Sequence, residues 1–195
     1  MSQLKLTADG GGGTVAIKGP ASTTGNAAIE LTVPGTASGN LLTTTNSQVV
    51  TTNKTDTFST TSTSKVDITG MSVTITPSSS SSKIMVFAEI NHGGFNYNFY
   101  LDLLRDSTRL RIPASGNNPA TIQAPGISDA SNYTWTMWTR TIALLDTPAT
   151  ASAVTYKLQV ACQSGGEFFL NRPRRSGNAV DGVCGSSITV MEVAA

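Results

Sequence analysis

Hydrophobic and polar residues alternate one by one along much of this 195-residue chain, and glycine, proline, asparagine and serine interrupt the alternation. A period of two residues is typical of β-strands, because successive side chains point to opposite faces of a sheet. No segment keeps the 3.6-residue period of an amphipathic helix over three turns. The pattern therefore predicts an all-β fold with almost no helix.

From residue 47 onward the pattern predicts a jelly-roll-like antiparallel β-sandwich. In KIMVFAEIN, Ile84 and Val86 fall on one face, and Met85 and Phe87 fall on the other. Both faces are partly apolar, which predicts a central strand that is covered on both sides. The predicted strands are Lys54–Ser59, Lys65–Thr76, Lys83–His92, Tyr97–Arg105, Thr108–Ile112, Tyr133–Leu145, Val154–Cys162, Glu167–Leu170 and Ser187–Val193.

Residues 1–46 form a separate segment with three short alternating stretches, Leu4–Thr7, Thr14–Lys18 and Ala28–Val33. Strands of this length bury too little apolar surface to be stable alone. We therefore expect the segment to intertwine with the same segment of identical chains. The domain division that follows is 1–46 for association between chains, and 47–195 for a β-sandwich domain, called the knob below.

The serine run in ITPSSSSSKIMV is predicted to be a loop inside the β-domain. Pro77 ends the preceding strand because proline cannot donate to a sheet ladder, and serine hydroxyls satisfy the backbone of a turn. A flexible linker between domains is disfavoured, because strand patterning begins at once on both sides of the run.

Composition and charge limit the classes of binding partner that we expect. Charged residues make up only 13% of the chain, against roughly 25% in typical soluble domains. The net charge of +1 gives no overall attraction to nucleic acid or to an anionic membrane. No apolar run approaches the ~20 residues that span a bilayer. The N-terminus resembles neither a signal nor a transit peptide, so we expect synthesis in a cytoplasm, no nucleic-acid partner and no membrane insertion.

The catalytic motifs in the sequence are incomplete. The S-x-x-K pairs Ser80/Lys83 and Ser62/Lys65 precede strands and lack their companion elements. His92, the only histidine, lies in NHGGF, where a tight turn with an exposed or hydrogen-bonded ring is predicted. No G-x-S-x-G elbow accompanies it, and the carboxylates are scattered singly. We therefore expect no catalytic residues.

Cofactor and metal sites are also not expected. One histidine and two distant cysteines cannot form a tetrahedral zinc site, and Gly10 to Gly13 are not followed by the G-K-[ST] of a phosphate loop. Cys162 and Cys184 are predicted to be small buried thiols rather than a disulfide or a redox pair. Whether they lie close together stays open at this stage.

Two aromatic stretches, NHGGFNYNFY and SNYTWTMWTR, mix tyrosine and tryptophan with asparagine, threonine and glycine. Such mixtures occur in sugar-binding sites and at protein interfaces. Trp135 and Trp138 lie three apart, so alternation places them on opposite faces and at least one is expected in the core. NRPRR adds a small basic cluster, for which a solvated loop or a salt bridge is the competing interpretation. The candidate receptor-contact residues are Phe95, Tyr97, Tyr133, Trp135 and Arg174.

Two parts of the sequence resemble virion proteins of bacteriophages. GGGTVAIKGPASTTGNAAIELTVPGTASGNLL is similar to an N-terminal segment of tail fibres and related proteins in phages of cyanobacteria and marine bacteria. TNKTDTFSTTSTSKVDITGMSVTITPSSSSSKIMV, with LDLLRDSTRL and SSITVMEVAA, resembles the β-rich domain that follows it. The resemblance covers most of the chain and carries no catalytic motif.

The resemblance implies a homotrimeric virion structural protein that is assembled in the host cytoplasm. The first expectation is a short tail fibre, mounted on tail or baseplate proteins, whose knob contacts a host-surface glycan. The alternative is a capsid decoration (cement) protein that binds the head surface as a trimer. A polysaccharide-degrading spike is disfavoured because the carboxylates are sparse.

Overall fold

The computed structural model describes residues 3–7, 14–18, 48–116, 118–126, 135–175 and 182–193. The chain divides into two compact units, Met1–Leu41 and Leu42–Ala195. All helix or strand structure within the described residues is β-strand, so the predicted all-β class is confirmed.

The described part of the first unit is an antiparallel strand pair. Strand β1 (Gln3–Thr7) pairs with β2 (Thr14–Lys18), with Gln3 opposite Lys18 and Thr7 opposite Thr14. These strands agree with the predicted stretches at Leu4–Thr7 and Thr14–Lys18. The third predicted stretch, Ala28–Val33, lies outside the described residues, and intertwining between chains stays a prediction.

The second unit consists of two antiparallel sheets. Their described strands are β3 (Val49–Lys54), β4 (Phe58–Thr60), β5 (Val66–Ile75), β6 (Lys83–Phe95), β7 (Asn98–Arg105), β8 (Thr108–Leu110), β9 (Ile122–Pro125), β10 (Trp138–Asp146), β11 (Val154–Cys162), β12 (Glu167–Leu170) and β13 (Ser186–Val193). The first sheet has the order β3-β13-β6-β12-β4, with β10 on the other edge of β6. The second sheet has the order β5-β11-β7-β8, and β9 also pairs with β7.

The strand order is that of a jelly roll. Three positions are each occupied by two short strands, namely β3 with β4, β8 with β9, and β12 with β13. When these pairs are counted as single positions, the first sheet has the order 1-8-3-6 and the second the order 2-7-4-5. Two interlocked Greek keys produce this order, as the sequence pattern predicted.

The hydrophobic core lies between the two sheets. In β6 the face that carries Ile84 and Val86 is buried in the core, and its residues pack with alternate residues of β7 and β11. Each large aliphatic or aromatic side chain buried in this way contributes roughly 1.5–3 kcal/mol. The central members are Ile84, Val86, Ala88, Ile90, Phe99, Leu101, Leu103, Tyr156, Leu158 and Val160.

The serine run is a loop between β5 and β6. The backbone nitrogen and the hydroxyl of Ser78 donate to Glu192 Oε1 at 2.7 and 2.6 Å, and Gln48 donates to Oε2 at 3.1 Å. Burial of Glu192 raises the pKa of its carboxyl, but these hydrogen bonds outweigh burial and hold the pKa below its usual value. The loop is therefore tied to the last strand of the sandwich.

The predicted tight turn at NHGGF is wrong, because the whole motif belongs to β6. The two glycines allow close packing: a Cβ on Gly94 would lie 2.1 Å from Phe99 Cε2, and one on Gly93 would lie 2.7 Å from a backbone oxygen of Arg172. The chain turns instead at Asn96 and Tyr97, whose φ angles are 50° and 56°. Glycine marks close packing here rather than a turn.

Strand bounds also differ from prediction where a position is split. The predicted strand Lys54–Ser59 spans the break between β3 and β4, since a strand at 49–54 was not predicted. The short strand β9 was also missed. Strand β10 begins at Trp138, whereas the prediction placed its start at Tyr133, which lies outside the described residues.

Asn171 holds the break between β12 and β13 in place. Its side-chain amide donates to the backbone oxygens of Lys54 and Asp56, both at 2.8 Å, and its Oδ1 accepts from the Ser186 hydroxyl at 2.6 Å. The residue is fully buried and has a φ of 63°, a conformation that asparagine tolerates better than most residues. One side chain thus joins both split positions of the first sheet.

Candidate interaction surfaces

The outer side of the first sheet carries a row of apolar residues across four strands. Val49 pairs with Met191, Met191 with Met85, and Met85 with Leu145. Paired residues lie on the same face of a sheet, so these four side chains are neighbours. Val49, Met191 and Leu145 are exposed by 61%, 36% and 45%.

A second row extends this surface. Phe87, which is 42% exposed, lies between Thr189 and Ala143, and Val193 is exposed beside Lys83. The only charged residues at outward positions of these four strands, within their described ranges, are Lys83 and Glu89. We call this surface the apolar face; its members are Val49, Met85, Phe87, Ala143, Leu145, Met191 and Val193.

The apolar face includes the side of β6 that points away from the core. The sequence predicted that β6 is covered on both sides, but within the described residues only the side that faces the core is covered. Aromatic residues and methionine with few charges are typical of the buried centre of protein interfaces. The face therefore has the composition of a contact surface rather than of a solvated sheet.

Phe95 and Arg174, two of the candidate receptor-contact residues, contact each other at one end of the first sheet. The guanidinium carbon of Arg174 lies 3.5 Å from the centroid of the Phe95 ring, and its Nε donates to Glu167 Oε2 at 2.9 Å. Glu167 is the strand partner of Phe95. Arg174 is thus engaged in a cation–π contact and an ion pair within the chain.

Tyr97 occupies the turn next to this cluster. Its side chain is 52% exposed, and its φ of 56° is unusual for a bulky residue. The ring passes over Gly165, where an added Cβ would lie 3.1 Å from Tyr97 Cε2. The turn therefore exposes an aromatic ring to solvent, which is the position expected of a contact residue.

Trp135 is also 52% exposed, while Trp138 is half-buried and its ring lies 5.6 Å from that of His92. Trp138 is thus the more buried of the two tryptophans, although it is not among the buried residues of the described core. Among the described residues, no ring contact joins Trp135 to Phe95 or Tyr97. Tyr133 lies outside the described residues.

His92 is fully buried among aromatic rings and is not part of any exposed turn. Its ring is 5.6 Å from Phe168 and 6.3 Å from Phe99, and its Nε2 has no hydrogen-bond partner in the described structure. Burial lowers the pKa of His92 to about 4, and the positive charge of Arg140 acts in the same direction. The imidazole is therefore neutral at pH 7.

The structure also brings together three charged residues that the sequence analysis did not connect. The buried carboxylate of Asp102 lies 3.0 Å from Lys65 Nζ and 2.5 Å from Arg109 Nε. Lys65 also donates to a backbone oxygen, whereas the Ser62 hydroxyl donates to Ser64, so the S-x-x-K pair is not coupled. Only strand pairing places these charges together, so the sequence carries no local signal for them.

The two cysteines differ in environment. Cys162 is buried, as predicted, and burial raises the pKa of its thiol to about 11. Cys184 is exposed, so its prediction as a buried thiol is wrong; it follows the segment 176–181 and precedes β13. Both thiols are free.

Within the described ranges, no three His, Cys, Asp or Glu side chains cluster as metal ligands would. In the same part of the chain, no helix is long and apolar enough to cross a membrane.

Comparison with known proteins gives weak structural likenesses to proteins of viral particles. No family model matches the chain, and no curated protein matches it. A mutant VP2 protein of infectious bursal disease virus, in derived T=1 particles, is similar at a TM-score of 0.35 with 12% identity, over 98% of this chain and 44% of that one. A VP2 subviral particle of the same virus gives a TM-score of 0.36 with 14% identity, over 93% and 47%. The chain spans less than half the length of these viral proteins.

Proposed function

We propose that this chain is a non-enzymatic structural protein of a bacteriophage virion. It forms a homotrimeric short tail fibre: residues 1–46 mount it on tail or baseplate proteins, and the jelly-roll knob contacts the host surface. The exposed Tyr97 and Trp135 are the candidate host contacts that the described residues offer, because their rings are half accessible to solvent. Three knobs per fibre convert weak individual contacts into firm attachment.

The apolar face is the observation that carries this proposal. A sheet that exposes valine, leucine, methionine and phenylalanine in register across four strands is suited to burial against another surface. In the proposed trimer that surface belongs to the neighbouring knobs. The few charges on the face remove the desolvation cost that ion pairs would add to such an interface.

A substitution on the apolar face tests this assignment. Phe87→Glu places a charge at its centre, and we expect the trimer to dissociate at protein concentrations at least about tenfold higher than for the unchanged protein. Ser72→Glu is the matched control, because Ser72 is exposed on the second sheet. Dissociation on dilution is measured by sedimentation. If both variants dissociate equally, the apolar face does not form the trimer contact.

The alternative is a trimeric capsid decoration protein, and the same apolar face favours it. A surface of this composition serves equally well for docking on the proteins of a capsid lattice. Electron microscopy of intact virions, labelled with antibody against residues 47–195, separates the two proposals. Label at the tail supports the fibre, whereas label spread over the head replaces it with the decoration protein.

Deleting residues 1–46 tests the attachment role of the N-terminal segment. We expect the shortened chain to fold, because the sandwich core lies within residues 48–193, and to be absent from purified virions. Incorporation of the shortened chain at the level of the intact one would contradict the mounting role.

A further inference from the structure

A cleft of about 570 Å³ opens on the outer side of the second sheet. This volume lies in the range typical of small-molecule sites. A second hollow of about 420 Å³ adjoins it and shares Tyr100, Asn118 and Pro119 with it. The polar and aromatic residues that line the first cleft include Lys65, Tyr100, Arg109, Asn118, Gln163 and Ser164.

The wall of this cleft carries a net positive charge. Asp102 supplies one negative charge between two positive side chains, those of Lys65 and Arg109. The carboxylate is fully buried, whereas the two cations are 25% and 35% exposed. A positive group at a concave surface focuses the electrostatic field and attracts anions into the cleft.

Both cations keep donors for a ligand. Lys65 Nζ uses two of its three donors, on Asp102 and on the Tyr100 carbonyl oxygen. Arg109 donates its Nε to Asp102 and its Nη2 to the Pro119 carbonyl oxygen, while its Nη1 has no bond among the described residues. Asp102 and Pro119 thus hold the guanidinium in one orientation, which suits recognition of a carboxylate.

We infer that this cleft binds an acidic saccharide of the host surface. Its carboxylate is held by Arg109 and Lys65, and its hydroxyl groups are held by the neutral side chains of Asn118, Gln163 and Ser164. The adjoining hollow leaves room for the next sugar ring. This inference rests on the proposed attachment role and names its ligand class.

The cleft and the apolar face lie on different sheets of the sandwich. The apolar face is the outer side of the first sheet, and the cleft opens on the outer side of the second. Packing of knobs through the first sheet therefore leaves the cleft accessible. Host binding and assembly can use the same knob at the same time.

Calorimetry on the full-length protein tests the inference with two oligosaccharides of equal length, one containing a uronic acid and one neutral. We expect the acidic oligosaccharide to bind at least about tenfold more tightly, since a charge-assisted hydrogen bond is stronger than a neutral one. Ser164→Trp should abolish binding by filling the cleft, and Ser152→Trp, on an exposed loop, should not change it.

A second pair of variants tests the charge. Arg109→Gln should weaken binding of the acidic oligosaccharide at least about tenfold. Arg111→Gln makes the same change of net charge at an exposed position outside the cleft and should leave affinity unchanged. Arg109→Gln also breaks an ion pair of the buried Asp102. Ser164→Trp leaves both Asp102 ion pairs intact, so its effect on binding tests the cleft independently of that change.

Absence of binding, equal affinity for the two oligosaccharides, unchanged binding by Ser164→Trp or equal losses in the two arginine variants would overturn the inference. Trimer mass and incorporation into virions are measured on the same preparations. If these stay as proposed while the cleft fails to bind, the failure belongs to the cleft and not to the structural role.

Discussion

Acidification from pH 7 to pH 5 should destabilise this protein through its single histidine. His92 is fully buried, and the rings of Phe168 and Trp138 both lie 5.6 Å from its own. Burial lowers the pKa of His92 to about 4, whereas an exposed histidine in the unfolded chain has the ordinary value of 6.5. Folding therefore excludes a proton that the unfolded chain accepts.

The magnitude follows from the difference between the two pKa values. Between pH 6.5 and pH 4 the unfolded chain binds more protons than the folded one, so the free energy of unfolding falls as the pH falls. Integrating this difference in bound protons from pH 7 to pH 5 gives a loss of about 2 kcal/mol in the free energy of unfolding. The carboxyl of Glu192 contributes mainly at lower pH, because its pKa lies below 4.5.

Urea unfolding at both pH values measures this loss. At equal protein concentration we expect the unchanged protein to lose about 2 kcal/mol between pH 7 and pH 5, and the His92→Phe variant to lose less than half as much. Phenylalanine keeps an aromatic ring among the core rings and removes the titrating group. An equal loss in both proteins, or an NMR titration of the His92 ring near pH 6.5 in the folded state, would refute the reasoning.

Two further substitutions and one chemical modification test contacts within the described residues. Asn171→Ala should cost about 3 kcal/mol in urea unfolding, because the backbone carbonyls of Lys54 and Asp56 lose their 2.8 Å hydrogen bonds and the Ser186 hydroxyl loses its acceptor; a cost below about 1 kcal/mol would contradict this role. A thiol reagent should modify Cys184 at once in the folded protein, and Cys162 only after unfolding; equal rates would show that the burial difference is wrong. Gly94→Ala should cost about 3 kcal/mol in stability, since its Cβ would clash with Phe99; an unchanged melting temperature would argue against this packing.

Alternation predicted the fold well where a strand is long and one face is buried. Alternation separated the two faces of β6 (KIMVFAEIN) and of β11 (Val154–Cys162), because a period of two fixes which residues share a face. It did not show that only one face of β6 reaches the core. Glycine misled the prediction at NHGGF. There Gly93 and Gly94 lie inside a strand and give room to Phe99 and Arg172, contacts that depend on residues distant in sequence.

The candidate surfaces were less predictable than the core. Lys65, Asp102 and Arg109 lie in or next to three different strands, and only the pairing of β5, β11, β7 and β8 brings their charges together. The apolar face has the same origin. Its residues belong to separate strands, and only strand pairing places Met85 and Leu145 side by side on one face.

The mass of the intact protein in solution is the most direct test of the central claim, that this jelly roll assembles through its apolar face into a virion part. Light scattering at micromolar concentration should give three times the 20.2 kDa mass of the chain. A stable species with the mass of one chain would contradict the account, because the apolar face and the N-terminal segment would then have no second chain to pack against.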